Sequence, residues 1–225
     1  MKTLSIPDYQ AFTWLEFEMN EFEHFKNAVE SWKLDFLQID GSDFYTHFKQ
    51  LILPAIQVGY AQIDGHIEQN GEVPEDMWTF VIPHKNSSLA TYNHILAESN
   101  AMILIYPPGT DFSSTTFDGW EIYTFSIQER YLKEFTTMMG LGGIEEKLST
   151  VERVYIDAND AESLQDQLEN VLKYAAILEE KTFDKAELEI LFYLLPSMII
   201  KRIHAHMECN RDMLLKEKYL LYIRA

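Results

Sequence analysis

Residues 120–140, WEIYTFSIQERYLKEFTTMMG, change period within a single stretch. Trp120 to Ile127, entered through the Asp118-Gly119 turn, reads as a strand. Beyond Ile127 the repeat is helical: Tyr131, Leu132, Phe135 and Met138 fall at i, i+3 and i+4 spacings, and Gly140 can take the left-handed conformation that ends a helix. The chain therefore divides here into a strand-rich segment, residues 1–127, and a helical segment, residues 128–225.

Upstream of this switch, short apolar runs alternate with turn signals. Trp32, Leu34 and Phe36 alternate with Lys33 and Asp35, and the Asp40-Gly41-Ser42-Asp43 turn leads into Phe44 to Leu53. Further strand candidates are Ala55 to Ile63, His66 to Gln69, Met77 to Ile82 and Ala101 to Tyr106, separated by Asp64-Gly65, Asn70-Gly71 and Pro107-Pro108-Gly109. This spacing predicts an antiparallel barrel or sandwich. Asp8 to Ser31 fits a helix in its second half, while period 2 fits part of it.

Downstream, Val151 to Ile156 reads as one more strand. Leu164, Leu168, Val171, Ala175 and Leu178 then form a helical stripe opening after Asp160 as N-cap. Asp184 and Glu187 have capping-box spacing before a helix over Lys185 to Met207, with a kink expected at Pro196. A last helix is expected over Met213 to Ile223.

The whole chain has 225 residues, 47% of them apolar, which suffices for a packed core. Its net charge of -18 opposes nucleic-acid binding over most of the surface. Met1 to Ile127 holds 5 Lys, no Arg and 18 acidic residues, whereas 6 basic residues face 3 acidic ones from Lys201 onward. Cys209 is the only cysteine, so no internal disulfide can form, and a cytoplasmic location is expected. The start of the chain does not resemble a signal peptide, and the apolar run Ile190 to Ile200 is too short for a membrane span.

The order of strands before helices resembles the sensor and dimerisation half of AraC/XylS-type transcription regulators, in the ethanolamine-regulator-like branch. The residues that carry the resemblance are Leu37 to Gly41 with Phe44 in LQIDGSDF, Val81-Ile82-Pro83, and Ile105-Tyr106-Pro107-Pro108-Gly109. It implies an α+β fold, a cupin-like antiparallel β-barrel followed by amphipathic helices, which senses a small-molecule effector and forms a homodimer. In that family two helix-turn-helix units begin soon after a stretch such as Leu215 to Ala225, and DNA is bound only through them. They are absent from these 225 residues, which fits the sensor half of a longer regulator or a free-standing partner that forms mixed dimers with one.

Catalytic and metal signatures are weak. Cupin-type barrels often hold metal through an HxH pair with a Glu and a later His, but His47, His66, His84 and His94 are isolated. His204, His206 and Glu208 read HxHxE on an expected helix, where i and i+2 diverge by about 200°. There is no GxSxG, and Gly140-Leu141-Gly142-Gly143 lacks the Lys-Ser or Lys-Thr of a phosphate loop, which leaves a helix cap and loop. No catalytic residue, metal ligand or cofactor is therefore expected. A metal-dependent cupin enzyme is the competing class.

A ligand pocket is expected to draw on the barrel aromatics Trp78, Phe80, Tyr92, Tyr106, Trp120 and Tyr123. The lack of Arg before Arg130 disfavours a polyanion and favours a neutral, cationic or weakly acidic ligand. The dimer is expected to use Leu164, Leu168, Val171, Leu188, Leu191 and Leu195, with one helix packed on the barrel and the other at the interface.

Overall fold

The computed structural model describes residues 9–29, 34–41 and 43–207. Its first elements are β1 (Tyr9–Ala11), β2 (Thr13–Met19), α1 (Phe22–Val29), β3 (Leu34–Gln38), β4 (Tyr45–Ile52), β5 (Ile56–Asp64), β6 (Ile67–Glu72) and β7 (Met77–Pro83). There follow β8 (Thr91–Tyr92), β9 (Ile95–Leu96), β10 (Met102–Tyr106), β11 (Asp111–Thr116) and β12 (Trp120–Gln128). The chain continues through α2 (Glu129–Met138), α3 (Ile144–Leu148), β13 (Arg153–Tyr155), α4 (Ala158–Ile177), β14 (Thr182–Asp184) and α5 (Lys185–Glu189). A π-helical turn, Ile190–Leu194, joins α5 to α6 at 195–207.

The strands pair into a seven-stranded sheet, β13-β10-β7-β12-β5-β4-β2, and a five-stranded sheet, β3-β6-β11-β8-β9. The fold is α+β. Its two antiparallel sheets face each other as a sandwich rather than closing into one hydrogen-bonded barrel. β1 and β14 make a separate two-stranded ribbon. The ambiguous stretch before residue 31 resolves into both readings, because β2 pairs with β4 along the sheet edge before α1 begins.

Alternation along the strands creates two cores. Met102, Leu104, Val81, Ile63 and Ile122 point between the sheets. Their chain neighbours Ile103, Ile105, Phe80, Ile82 and Tyr123 point the other way, against α2, α4 and the α5–α6 helix. Both faces of the central strands β7 and β10 are thus buried. On the five-stranded sheet, by contrast, Glu68 and Asn70 alternate with the buried Ile67 and face outward, beside the exposed Leu37. The helical segment is continuous with this core: β13 extends the seven-stranded sheet beside β10, and β14 pairs with β1.

Helix ends follow local chemistry. Gly140 has φ +73 just beyond α2, and Gly143 caps α3 at φ +84, so this glycine-rich segment serves as cap and loop. The N-cap of α4 is Asp157 rather than the expected Asp160, with its side chain accepting from the Asn159 N–H at 2.8 Å. The Asp184–Glu187 capping box forms in both directions, at 2.9 and 2.6 Å. The π turn ends two residues before Pro196, whose ring lacks an N–H and would crowd the carbonyl four residues earlier in a regular helix. The expected helix over Met213 to Ile223 lies outside the described residues.

Candidate ligand site

A cavity of about 200 Å³ lies between the two sheets. Strand alternation on the seven-stranded sheet aims Thr46, Phe48 and Gln50 of β4, Thr79 and Val81 of β7, and Ile122 and Thr124 of β12 into it. Phe36, Gln69, Phe112 and Ser114 close it from the five-stranded sheet, and Phe25 of α1 contributes a further ring. Phe25 packs edge-on to Phe36 at 4.8 Å and also contacts Phe44 at 5.5 Å, which ties α1 to the sandwich.

Gly59 explains part of this shape. A Cβ there would lie 2.5 Å from Thr124 Oγ1, so the strand interior accepts glycine because the neighbouring threonine occupies the space.

The polar groups around the cavity are mostly paired. Trp120 Nε1 donates to Tyr92 Oη at 3.1 Å, Thr46 Oγ1 donates to the Gln62 carbonyl at 2.9 Å, and Thr79 and Ser126 share a hydrogen bond of 2.8 Å. Burial pushes the Tyr92 phenol up to about 12, an effect opposed by the Trp120 hydrogen bond and the Arg153 charge. Burial likewise raises Tyr106. Gln50 Nε2 donates to Gln57 Oε1 at 3.3 Å, while Gln50 Oε1 is buried with no hydrogen-bond partner.

Of the six aromatics expected to meet a ligand, Tyr92, Tyr106 and Trp120 line the cavity. Trp78, Phe80 and Tyr123 lie on the opposite face of the seven-stranded sheet, in the core shared with the helices. There Tyr123 Oη donates to Glu169 of α4 at 3.0 Å, and Tyr60 Oη donates to Glu121 at 3.3 Å. Burial first, and then these carboxylates, raise both phenols.

The residues expected at a dimer interface mostly face inward. Leu164, Leu168, Leu188, Leu191 and Leu195 are buried in the chain's own core, and Val171 is half-buried against it. The outward face of the same helices instead carries Tyr174, Ile177, Ile190 and Leu194, all exposed. A groove between α4 and α5, lined by Val171, Tyr174, Phe183, Glu187 and Ile190, runs beside this face.

Among the described residues, no three His, Cys, Asp or Glu side chains come together as a metal-ligand set. His47 pairs with Glu16 at 3.3 Å, His66 with Asp40 at 3.4 Å and His84 with Glu121 at 3.2 Å, while His94 reaches Ser113 at 3.5 Å. His204 and His206 lie on α6, whereas Glu208 and Cys209 fall outside the described residues. No described helix is long and apolar enough to cross a membrane.

No protein-family model matches the chain, and no curated protein is similar to it in sequence. Its fold is similar to that of the AraC-like transcriptional activator CuxR, with TM-score 0.58 at 11% identity, covering 84% of this chain and 70% of that one. Two weaker likenesses reach about half of the chain. The Cnp3 cupin domain of Schizosaccharomyces pombe aligns at TM-score 0.31 and 14% identity, covering 43% of this chain and 72% of that one. An RmlC-like cupin from Shewanella frigidimarina aligns at TM-score 0.28 and 10% identity, covering 51% and 95%.

Proposed function

We propose that the chain is the sensor domain of an AraC-type transcription regulator, holding a small molecule between its sheets and dimerising through its helices. The observation that carries this reading is the shared wall. On β7, Thr79 and Val81 line the cavity, while Trp78, Phe80 and Ile82 support the helices. A ligand that moves this strand therefore acts on the helical layer through one thickness of sheet. The ligand shifts the output only by its differential affinity for the two arrangements, and reversal from 1:99 to 99:1 needs about 5.5 kcal/mol.

The dimer in this reading uses the exposed Tyr174, Ile177, Ile190 and Leu194 face, because the inward leucines are already spent on the core. The charge of -18 opposes phosphate binding by these residues themselves, so in this reading DNA is contacted through helix-turn-helix units and not through this domain. The test is fusion to a helix-turn-helix pair with a known operator. Operator affinity that changes on addition of a cavity ligand supports the reading, and affinity indifferent to a ligand shown to bind sinks it. Stoichiometric Fe, Mn or Zn in the purified protein would instead favour a metal-dependent cupin enzyme.

A further inference from the structure

We propose that the cavity selects an uncharged molecule with an aromatic or aliphatic body and one hydrogen-bond donor, a hydroxyl or amide N–H, directed at Gln50 Oε1. The inference rests on the reading of this cavity as the ligand site and specifies the chemistry of its occupant.

Charge is excluded first. None of the side chains lining the cavity is Asp, Glu, His, Lys or Arg, so an ionised ligand would leave water without a counter-charge. Arg153 is the cation placed to influence Tyr92 and Tyr106, yet it does not line the cavity. Its Nη2 donates to the Tyr92 carbonyl at 3.0 Å.

The body follows from the walls. Phe25, Phe36, Phe48, Tyr106, Phe112 and Trp120 present rings to a volume of about 200 Å³. An apolar cavity of about 150 Å³ holds benzene, so this one takes a ring with a short side chain.

The donor follows from the polar inventory. Among the described residues, three buried side-chain atoms lack a hydrogen-bond partner: Gln50 Oε1, Trp78 Nε1 and Arg153 Nη1. Of these residues, Gln50 alone lines the cavity. Its amide is oriented by the bond from Nε2 to Gln57 Oε1, which leaves the oxygen open to a donor from the ligand. Buried acceptors in native proteins nearly always have a partner, and here a ligand hydroxyl or N–H supplies it.

The test is calorimetric titration with a matched set: 2-phenylethanol, phenylacetate, 2-phenylethylammonium and ethylbenzene. The alcohol should bind, with both ions weaker by a factor on the order of 100. Gln50→Leu and the less disruptive Gln50→Met should each weaken the alcohol by about tenfold while leaving ethylbenzene as tight or tighter. Phenylacetate binding as tightly as the alcohol, and weakened by Arg153→Gln, would overturn the proposal in favour of an anion that reaches the guanidinium. Failure of all four probes to bind at millimolar concentration, or an alcohol affinity unmoved in both folded Gln50 variants, would overturn it too. Selective, Gln50-dependent binding of the alcohol without any effect on operator affinity in the fusion would support the ligand class while removing the sensor reading.

Discussion

Trp120 of the seven-stranded sheet and Tyr92 of the five-stranded sheet are joined across the sandwich by an indole-to-phenol hydrogen bond of 3.1 Å, with both residues buried. Removing one partner strands the other in a place water does not reach. Trp120→Phe and Tyr92→Phe should each lower stability by about 1–3 kcal/mol. The double variant should cost less than the sum, since no unpaired polar group remains from the bond. Urea unfolding of the three variants measures this coupling, and strict additivity would show that the bond contributes nothing.

Alkaline pH should loosen the same region. The folded Tyr92 phenol lies at about 12 against an ordinary value of 10, so the fold holds the neutral form more tightly than the unfolded chain does. The resulting stabilisation is complete below pH 10 and disappears as pH rises from 10 to 12; at 1.36 kcal/mol per pH unit it amounts to roughly 3 kcal/mol. Tyr106, also raised by burial, adds to the loss in the same direction. Urea midpoints should be flat from pH 8 to about 10 and fall above it. Phenolate absorbance from Tyr92 appearing near pH 10 in still-folded protein would contradict the assignment.

Gly59→Ala should disturb the cavity more than one methyl group suggests. The new Cβ meets Thr124 Oγ1 at 2.5 Å, so Thr124 must move within the wall it helps to form. We expect a stability loss of about 1–3 kcal/mol together with weaker binding of any cavity ligand. Gly59→Ala combined with Thr124→Ser keeps the clashing hydroxyl but adds a rotamer, whereas Thr124→Ala removes the clash. Recovery of thermal stability only in the pair with Thr124→Ala would identify the hydroxyl as the cause.

The helices should separate folding from association. Leu168 is fully buried, and Leu168→Glu should prevent folding at any protein concentration. Ile190 is 45% exposed and Leu194 46%, so Ile190→Glu and Leu194→Glu should leave the circular dichroism spectrum unchanged. If these residues cover a dimer interface, light scattering at micromolar concentration should fall from twice the chain mass to the chain mass in both variants. Unchanged mass would move the interface elsewhere.

Strand positions were legible because turn pairs and apolar runs punctuate the first segment: the candidates Ala55 to Ile63, Met77 to Ile82 and Trp120 to Ile127 each coincide with a strand to within one or two residues. Which face of each strand meets the cavity was not legible. Phe80 and Val81 are both buried, one under helices and the other between sheets, and a strand apolar on both faces does not say which cover lies on which side. That ambiguity is why Trp78, Phe80 and Tyr123 read like Tyr106 in the sequence. β11, Asp111–Thr116, was hidden for the opposite reason, since its hydroxyl residues resemble a loop until β6 pairs beside it and turns Ser114 into the cavity. The β8–β9 hairpin turns on Asn93 and His94, at φ 50 and 64, without the glycine that usually advertises such a turn. Gln50 could have been found by alternation with the buried Leu51, but only once the inward face was known.

The π turn at Ile190–Leu194 fixes the rotational phase of α6. A π bulge amounts to one residue more than an α-helix would use, and each residue in an α-helix advances the chain by about 100°. That increment lets Ile199, Ile200 and Ile203 arrive facing the core, while Arg202 arrives facing α4, where its Nε donates to Asp160 Oδ1 at 3.0 Å. A helix of identical composition, shortened by one residue in this turn, would swing its greasy side toward solvent and its guanidinium off target. Spacing before Pro196, more than side-chain identity after it, is what aims α6.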